Sequence, residues 1–223
     1  MLAAIVKAIT NHTYEVYTRP YELNIIGIRS DSVESNRFDD EIHVFFKNNL
    51  GKWIHYLFPA TTDPGTYWLQ SPMHPQGTAI LSQGQYLGAY QIGLHKGKYY
   101  ALVQRRPVSV LRDYDRNAVL DFMNGRPDTG MFGINIHRAS VNGTTKDIDK
   151  YSAGCQVMAN INDFNLFMQL CEKHRQLYGN SFTYTLMDKR AFARNEKKKL
   201  VISLAGIGIG IGAGFIAYQI VKP

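Results

Sequence analysis

Cysteine is scarce in this chain of 223 residues, which contains only Cys155 and Cys171. The sequence has no CxxC pair and no HExxH motif, so its spacing offers neither a disulfide framework nor a zinc site. We therefore expect both thiols to be free, and we expect no metal or other cofactor. The sequence also shows no internal repeat, which excludes a solenoid or propeller.

Charge is missing from the run LVISLAGIGIGIGAGFIAYQIV, which spans residues 200–221. As a helix this run would extend for about 33 Å, enough to cross the hydrocarbon core of a bilayer. A lone strand could not satisfy its backbone in lipid, so the run predicts a single transmembrane helix. Glycines between positions 206 and 214 recur at GxxxG spacing, which favours self-association of such helices.

The residues that flank this run are unequally charged. Residues 189–199 carry six basic side chains, whereas only Lys222 follows the run. This pattern indicates a basic juxtamembrane linker and would place the preceding domain on the cytoplasmic side of a membrane. The N-terminal residues 1–20 lack the basic leader and cleavage site of a signal peptide, and they are predicted to form a lead-in with a short amphipathic helix.

The overall composition is that of a folded protein, with 19% charged and 12% aromatic residues. The net charge of +7 arises partly from the linker, and the remaining arginines are scattered rather than continuous. We therefore expect no nucleic-acid partner.

Residues 21–188 show the short alternating runs and turn residues that are typical of a β-rich domain. Short hairpin loops favour a mainly antiparallel sheet, closed as a barrel or folded as a sandwich, with one or two helices. A proline-rich loop at 59–77 interrupts these runs, and the polar segment 113–128 is predicted to contain a short helix. The predicted strands are 22–28, 42–47, 52–58, 77–81, 86–94, 99–104, 108–110, 131–137 and 181–187.

One longer helix is predicted at residues 163–178, capped by Asn160 or Asn162 and ended by Gly179. Cys171 and His174 fall on its apolar stripe, so they are predicted to be core or boundary residues.

The residues with the clearest chemical potential lie between positions 132 and 158. His137 ends an apolar run, and after fourteen intervening residues comes the sequence Ser152-Ala153-Gly154-Cys155. A cysteine nucleophile needs a base and donors for the developing oxyanion, and a preceding glycine allows close approach of a substrate carbonyl. The intervening segment would bring His137 beside Cys155 if it folds back as a loop.

This arrangement resembles the catalytic signature of the L,D-transpeptidase (YkuD-like) family, in which a histidine lies a similar distance before a Ser/Thr-His-Gly-Cys turn. Residues 62–67, Thr-Asp-Pro-Gly-Thr-Tyr, are similar to a Thr-Pro-x-Gly-Thr-aromatic segment of the same domains. The resemblance implies an L,D-transpeptidase-like barrel or sandwich. It also implies that peptidoglycan stem peptides are the substrate, attacked to give an acyl-enzyme.

The resemblance also assigns roles to individual residues. Cys155 would be the nucleophile and His137 its general base. The surrounding turn would supply backbone oxyanion donors at Gly154 and Cys155. The other expected roles are loop support by Ser152, orientation of the imidazole by the backbone at Arg138, and substrate contacts by Gln156 and Tyr151.

Two departures from the family pattern leave the reaction open. Ala153 replaces the second histidine, and Gln156 stands where the family usually has arginine or asparagine. The sequence SAGCQV is more similar to phage lytic proteins, which favours a peptidase over an L,D-transpeptidase. A membrane-anchored structural protein on the same fold, without catalysis, is a further alternative.

Topology conflicts with this function, because a wall enzyme on the cytoplasmic face has no substrate there. One hypothesis removes the conflict: the internal membrane of a bacteriophage virion would expose the former cytoplasmic leaflet, and with it the enzyme, toward the capsid. The other hypothesis is an anchored enzyme whose domain faces the periplasm, contrary to the tendency of basic flanks to stay on the cytoplasmic side.

Overall fold

The computed structural model describes residues 1–189 of the chain. This part contains three α-helices, eleven strands and one short 3-10 turn. In chain order they are α1 (Leu2–Asn11), β1 (Asn24–Arg29), β2 (Asp40–Lys47), β3 (Trp53–Thr61), α2 (Thr66–Gln70), β4 (Thr78–Leu81), β5 (Gly84–His95), β6 (Tyr99–Gln104), β7 (Val108–Asp113), β8 (Arg126–Gly130), β9 (Ile136–Arg138), the 3-10 turn (Asp149–Tyr151), β10 (Gln156–Met158), α3 (Ile161–Tyr178) and β11 (Phe182–Asp188).

Eight of the strands close a barrel in the order β1-β11-β5-β6-β9-β10-β3-β2, and β4-β7-β8 form a separate three-stranded sheet. The neighbouring strands of both sheets are antiparallel except in two pairs, β1 with β11 and β9 with β10. The expectation of a β-rich, mainly antiparallel fold with a few helices is therefore confirmed.

The barrel interior is filled by the inward residues of its strands. Ile42, Val44, Ile136, Tyr90 and Tyr184 are completely buried, and the two tyrosine rings meet edge to face at 5.8 Å. Successive side chains of a strand point to opposite faces, so alternate residues of each strand enter the core. Strands β1, β4 and β10 are buried on both faces.

Helix α3 packs its apolar stripe onto this core through Phe164, Phe167 and Cys171. Its N-terminus is capped as the sequence indicates, because the Asn160 side chain accepts hydrogen bonds from the backbone N–H groups of residues 162 and 163. His174 is also buried and accepts a hydrogen bond from the backbone of Leu23 at 3.1 Å. Cys171 and His174 are thus core residues, as predicted.

Three local predictions were wrong. The polar segment 113–128 contains no helix; it holds the end of β7, a turn region and the start of β8. β8 has no apolar alternation to reveal it, and it forms because it pairs with β7 at the edge of the small sheet. The predicted strand 131–137 shrinks to β9, since the backbone at Gly133 has a φ of 72°. The proline-rich loop contains α2, which was not predicted.

The basic linker beyond residue 189, the uncharged run 200–221 and the glycines at 206–214 lie outside the described residues. No helix among residues 1–189 is long and apolar enough to cross a bilayer.

A buried arginine anchors the segment that follows β3. Arg29 lies 2.8 Å from the Asp63 carboxylate and donates hydrogen bonds to Thr62 at Oγ1 and at the backbone carbonyl, both at 3.0 Å. Asp40 accepts hydrogen bonds from the N–H and the hydroxyl of Thr62. Burial raises the pKa of Asp63, and the Arg29 guanidinium opposes that shift.

Replacing Arg29 with methionine should destabilise the protein, because Asp63 would lose its partner while remaining buried. We expect a loss of about 3–5 kcal/mol in the free energy of unfolding at pH 8. Without Arg29 the pKa of Asp63 should rise further. A buried carboxyl with a raised pKa loses stability as pH increases, so the loss should be smaller at pH 5.

Chemical denaturation of the full chain followed by tryptophan fluorescence would measure the effect. Arg37→Met is the matched control, since Arg37 pairs with Glu34 on the surface and both side chains are more than 60% exposed. This control should change stability by less than about 1 kcal/mol. Equal losses in the two variants would contradict the structural role of Arg29.

Candidate active site

The turn that precedes β10 is held in one conformation by its own hydrogen bonds. Ser152 is completely buried; its hydroxyl donates to the Cys155 carbonyl at 2.8 Å and accepts from the Gly154 N–H at 3.1 Å. Gly154 has a φ of 117°, and a Cβ atom at this position would collide with the Ala79 carbonyl of β4. The turn therefore requires glycine, and Cys155 follows it immediately before β10.

Strands β9 and β10 bring the two expected catalytic residues onto one face. They run parallel, and the register pairs Gln156 with Ile136 and Val157 with His137. Ile136 points into the barrel core, so His137, the next residue, lies on the opposite face of β9. By the same alternation Cys155, which immediately precedes β10, falls on the side of Val157, the residue paired with His137. The chain segment between His137 and Cys155 folds back as a loop with one 3-10 turn.

The His137 ring has a defined tautomer. Its Nδ1 atom lies 2.7 Å from the backbone carbonyl of Arg138, which can only accept, so Nδ1 carries the proton. The Tyr99 hydroxyl lies 3.3 Å from the same nitrogen. The Nε2 atom is buried and has no hydrogen-bond partner among the described residues. It carries the lone pair that a general base needs.

Two neighbours of His137 were not assigned a site role from the sequence. His95, at the end of β5, stacks on the His137 ring with centroids 4.1 Å apart. The side-chain amide of Asn135 links β5 and β6, since it donates to His95 Nδ1 at 3.0 Å and accepts from the Gln104 N–H at 2.9 Å. The sequence could have indicated Asn135 as a site residue, because it precedes His137 by two positions and alternate residues of a strand share a face. The position of His95 depends on the pairing of distant strands.

The resting thiol and imidazole are both uncharged at neutral pH. Burial raises the pKa of Cys155. Burial, reinforced by the adjacent His95, lowers the pKa of His137 to about 3. The site therefore holds a neutral pair rather than a thiolate–imidazolium ion pair.

The two groups share a face without a hydrogen bond between them. Cys155 Sγ accepts from the Asn135 N–H at 3.5 Å and donates to the Gly133 carbonyl at 3.5 Å. Rotation about the Cα–Cβ bond of Cys155 is needed to turn the thiol toward another acceptor. Catalytic hydrogen bonds are often incomplete before substrate binds.

A cavity of about 390 Å³ lies next to the cysteine turn, a size suited to a peptide side chain or a small ligand. Its lining comes from α2, β4, β7 and the segment before β9, and it includes Trp68, Met73, Thr78, Arg112, Phe132 and Ala153. Arg112 is the positive group of this lining. It lies over the Phe132 ring at 4.7 Å and forms an ion pair with Asp128 at 3.1 Å.

The remaining expected site residues differ in what they can contact. Gln156 is completely buried, accepts from the Tyr184 hydroxyl at 2.8 Å and donates to the carbonyls of Thr62 and Gly154, so it presents no group to a bound peptide. The substrate contact expected of Gln156 is therefore not supported. Tyr151 is 40% exposed in the 3-10 turn beside the cysteine loop and remains accessible.

The backbone donors are also unequal. The Gly154 N–H donates to the Ser152 hydroxyl. The Cys155 N–H, the other expected oxyanion donor, has no hydrogen bond within residues 1–189. Arg138 contributes its carbonyl to His137, and its guanidinium lies 4.0 Å from the centre of the Tyr99 ring.

Because the thiol pKa is raised, alkylation of Cys155 by iodoacetamide should keep accelerating as pH increases past about 8.5, the pKa of a free thiol. The full chain carrying Cys171→Ala would isolate the reaction of Cys155, and mass spectrometry would give the rate at each pH. A rate that reaches its plateau below pH 7 would instead indicate a preformed ion pair with His137.

Comparison with protein-family models, with curated proteins and with solved structures gives no match for this chain. The functional argument rests on the chain's own residues: a cysteine after a glycine turn, a histidine on the neighbouring parallel strand, and a cavity that reaches Ala153 of that turn.

Proposed function

We propose that this protein is a cysteine peptidase that cleaves amide bonds in peptidoglycan stem peptides through an acyl-enzyme. The observation that carries the proposal is the placement of Cys155 and His137 on one face of β9 and β10, with the lone pair of His137 Nε2 unpartnered. The substrate class comes from the resemblance of the histidine and the Ser-x-Gly-Cys turn to L,D-transpeptidases.

The first half of the reaction follows from the neutral resting pair. As the Cys155 sulfur attacks the amide carbonyl, His137 Nε2 takes the thiol proton, and the carbonyl oxygen gains negative charge near the Cys155 N–H. When the tetrahedral intermediate collapses, the C–N bond breaks and His137 returns the proton to the leaving amine. The product is a thioester between Cys155 and the acyl part of the peptide.

The second half regenerates the enzyme. Water gives a proton to His137 Nε2 and attacks the thioester carbonyl. When this second tetrahedral intermediate collapses, the C–S bond breaks and His137 returns the proton to sulfur, which releases a carboxylic acid and restores the thiol. The hydrogen bond from Nδ1 to the Arg138 carbonyl keeps the ring oriented through both steps and supports the transient imidazolium. Attack by an amine in place of water would make the same site an L,D-transpeptidase.

Substrate recognition would use the groove beside Ala153. Stem peptides carry carboxylates, and Arg112 brings a positive charge to this groove. Its Nε and Nη1 atoms are held by Asp128 and the Gly77 carbonyl, and its Nη2 atom has no hydrogen bond within the part of the chain that the structure describes. Arg112 could thus offer a substrate carboxylate the positive charge that Gln156 lacks. The exposed Tyr151 lies immediately before the cysteine turn.

The second candidate is a non-catalytic structural protein on the same fold. The observation in its favour is that the Cys155 thiol forms hydrogen bonds with the backbone of Asn135 and Gly133 and not with His137.

We also propose that residues 200–221 anchor the protein in a lipid bilayer, with self-association through glycines 206–214. The internal membrane of a bacteriophage virion would reconcile that anchor with a cell-wall substrate.

Incubation of the full chain in mild detergent with purified peptidoglycan tests the proposal. Released muropeptides would be quantified by mass spectrometry, beside Cys155→Ala, His137→Ala and the control Cys171→Ala. We expect Cys155→Ala to abolish release and His137→Ala to slow it by about 10²–10⁴-fold. Cys171→Ala removes a buried thiol on α3 and should leave activity within a few-fold of the wild type.

Each outcome separates the candidates. Loss of stem-peptide bonds in the wild type and in Cys171→Ala alone supports the peptidase. New cross-links or exchanged terminal residues would mean transpeptidation. The catalytic proposal fails if Cys155→Ala releases the same products as the wild type. It also fails if the wild type releases no muropeptides from peptidoglycans of several chemical types.

A further inference from the structure

An acidic loop follows β7 on the small sheet. Residues 113–121 read Asp-Tyr-Asp-Arg-Asn-Ala-Val-Leu-Asp, with oxygen-bearing side chains at the first, third, fifth and ninth positions. This is the spacing with which calcium-binding loops place side-chain ligands, and their seventh position contributes a backbone carbonyl. Here Ala118 replaces the usual glycine at the sixth position and Asn124 the glutamate at the twelfth, so the loop is not an EF-hand.

The fold brings three carboxylates of this loop together. One oxygen each from Asp113, Asp115 and Asp121 lies within 4.8 Å of the other two. Within residues 1–189 none of the three forms an ion pair, because the neighbouring Arg112 is paired with Asp128 and Arg126 lies over the Tyr114 ring. Three like charges at this separation repel one another unless a proton or a cation lies among them.

A second observation points to a ligand at this cluster. The Asp113 side chain is completely buried, and its Oδ1 atom has no hydrogen-bond partner in the described part of the chain. Its Oδ2 atom accepts the Asp121 N–H at 3.1 Å, which holds the two ends of the loop together. A buried carboxylate oxygen without a partner is costly, and a metal ion would supply the missing contact.

We propose that Asp113, Asp115 and Asp121 bind one calcium ion, with the Asn117 side chain or the Val119 carbonyl and water completing its coordination. The donors are all oxygen, without histidine or cysteine, which suits a hard cation. An irregular loop favours calcium over magnesium, because magnesium requires near-ideal octahedral geometry. Burial raises the pKa of Asp113 to about 6, and a bound cation would favour its ionised form.

The ion would stabilise the sheet that borders the catalytic groove. Asp113 pairs with Thr78 of β4, and the following residue of β4, Ala79, contacts the Gly154 turn. Arg112, in the groove lining, is the residue immediately before Asp113. This proposal does not depend on the proposed peptidase activity, since binding and stability are measured without a substrate.

The test uses the full chain in a non-ionic detergent after dialysis against a chelator. Thermal unfolding would be followed by circular dichroism while calcium chloride or magnesium chloride is added, and calorimetry would give the affinity. We expect a saturable increase of several degrees in Tm with calcium and a smaller one with magnesium. We expect Asp115→Asn and Asp121→Asn each to weaken calcium binding by at least about 10-fold.

Asp113→Asn separates ion binding from a purely structural role. It removes a buried charge and its repulsion, so in chelator its Tm should equal or exceed that of the wild type, while its response to calcium is lost. If this buried variant does not fold, Asp115→Asn still tests the site, because Asp115 is exposed. Asp31→Asn, another exposed acidic residue, is the matched control and should respond as the wild type does.

A second readout uses Tyr114, which lies inside the loop. Terbium bound at the three carboxylates should show luminescence when tyrosine is excited, and calcium should displace it competitively. The proposal is overturned if calcium produces no saturable change in Tm. It is also overturned if Asp115→Asn and Asp121→Asn bind calcium as tightly as Asp31→Asn does.

Discussion

The parallel pairing of β9 with β10 is the constraint on which the rest of the site depends. Each strand contributes only three residues, and together they close the barrel between β6 and β3. A shift of one residue in this register would turn His137 into the core and Ile136 out of it. The completely buried Ile136 and Met158 oppose that shift, because their exposure would cost hydrophobic stabilisation. The core thus sets the register, and the register sets the face of β9 on which His137 lies.

Two polar arrangements support that pairing from either side. Arg29, Asp40 and Thr62 fix the segment after β3, and Gly65, a little farther along, donates its N–H to the Ser152 carbonyl. On the other side Ser152 closes the cysteine turn. The burial that makes these bonds strong also suppresses charge at the reacting groups. A site built in this way holds a neutral thiol, so the proposed peptidase reaction would need proton transfer during the attack.

The three-stranded sheet connects the groove to the acidic loop. β7 carries Arg112 toward the groove and Asp113 at the beginning of the loop, so a ligand at either position acts on the same strand end. Cation binding at the loop would order the strand without touching the cysteine or the histidine.

From the sequence alone, the β-rich class, most strands, and the α3 helix with a cap at Asn160 or Asn162 could be predicted, and the structure selects Asn160. The pairing of Cys155 with His137 stays a prediction. Local periodicity, capping and motif spacing determine these features, and each is carried by neighbouring residues. Strand β8 and helix α2 could not be predicted, since their residues lack a periodic signal and depend on tertiary partners. The stacking of His95 on His137 and the burial of Gln156 were likewise decided by barrel closure. So was the meeting of Asp113 with Asp121, because which strands pair, and in which register, is a property of the whole core and not of any local segment.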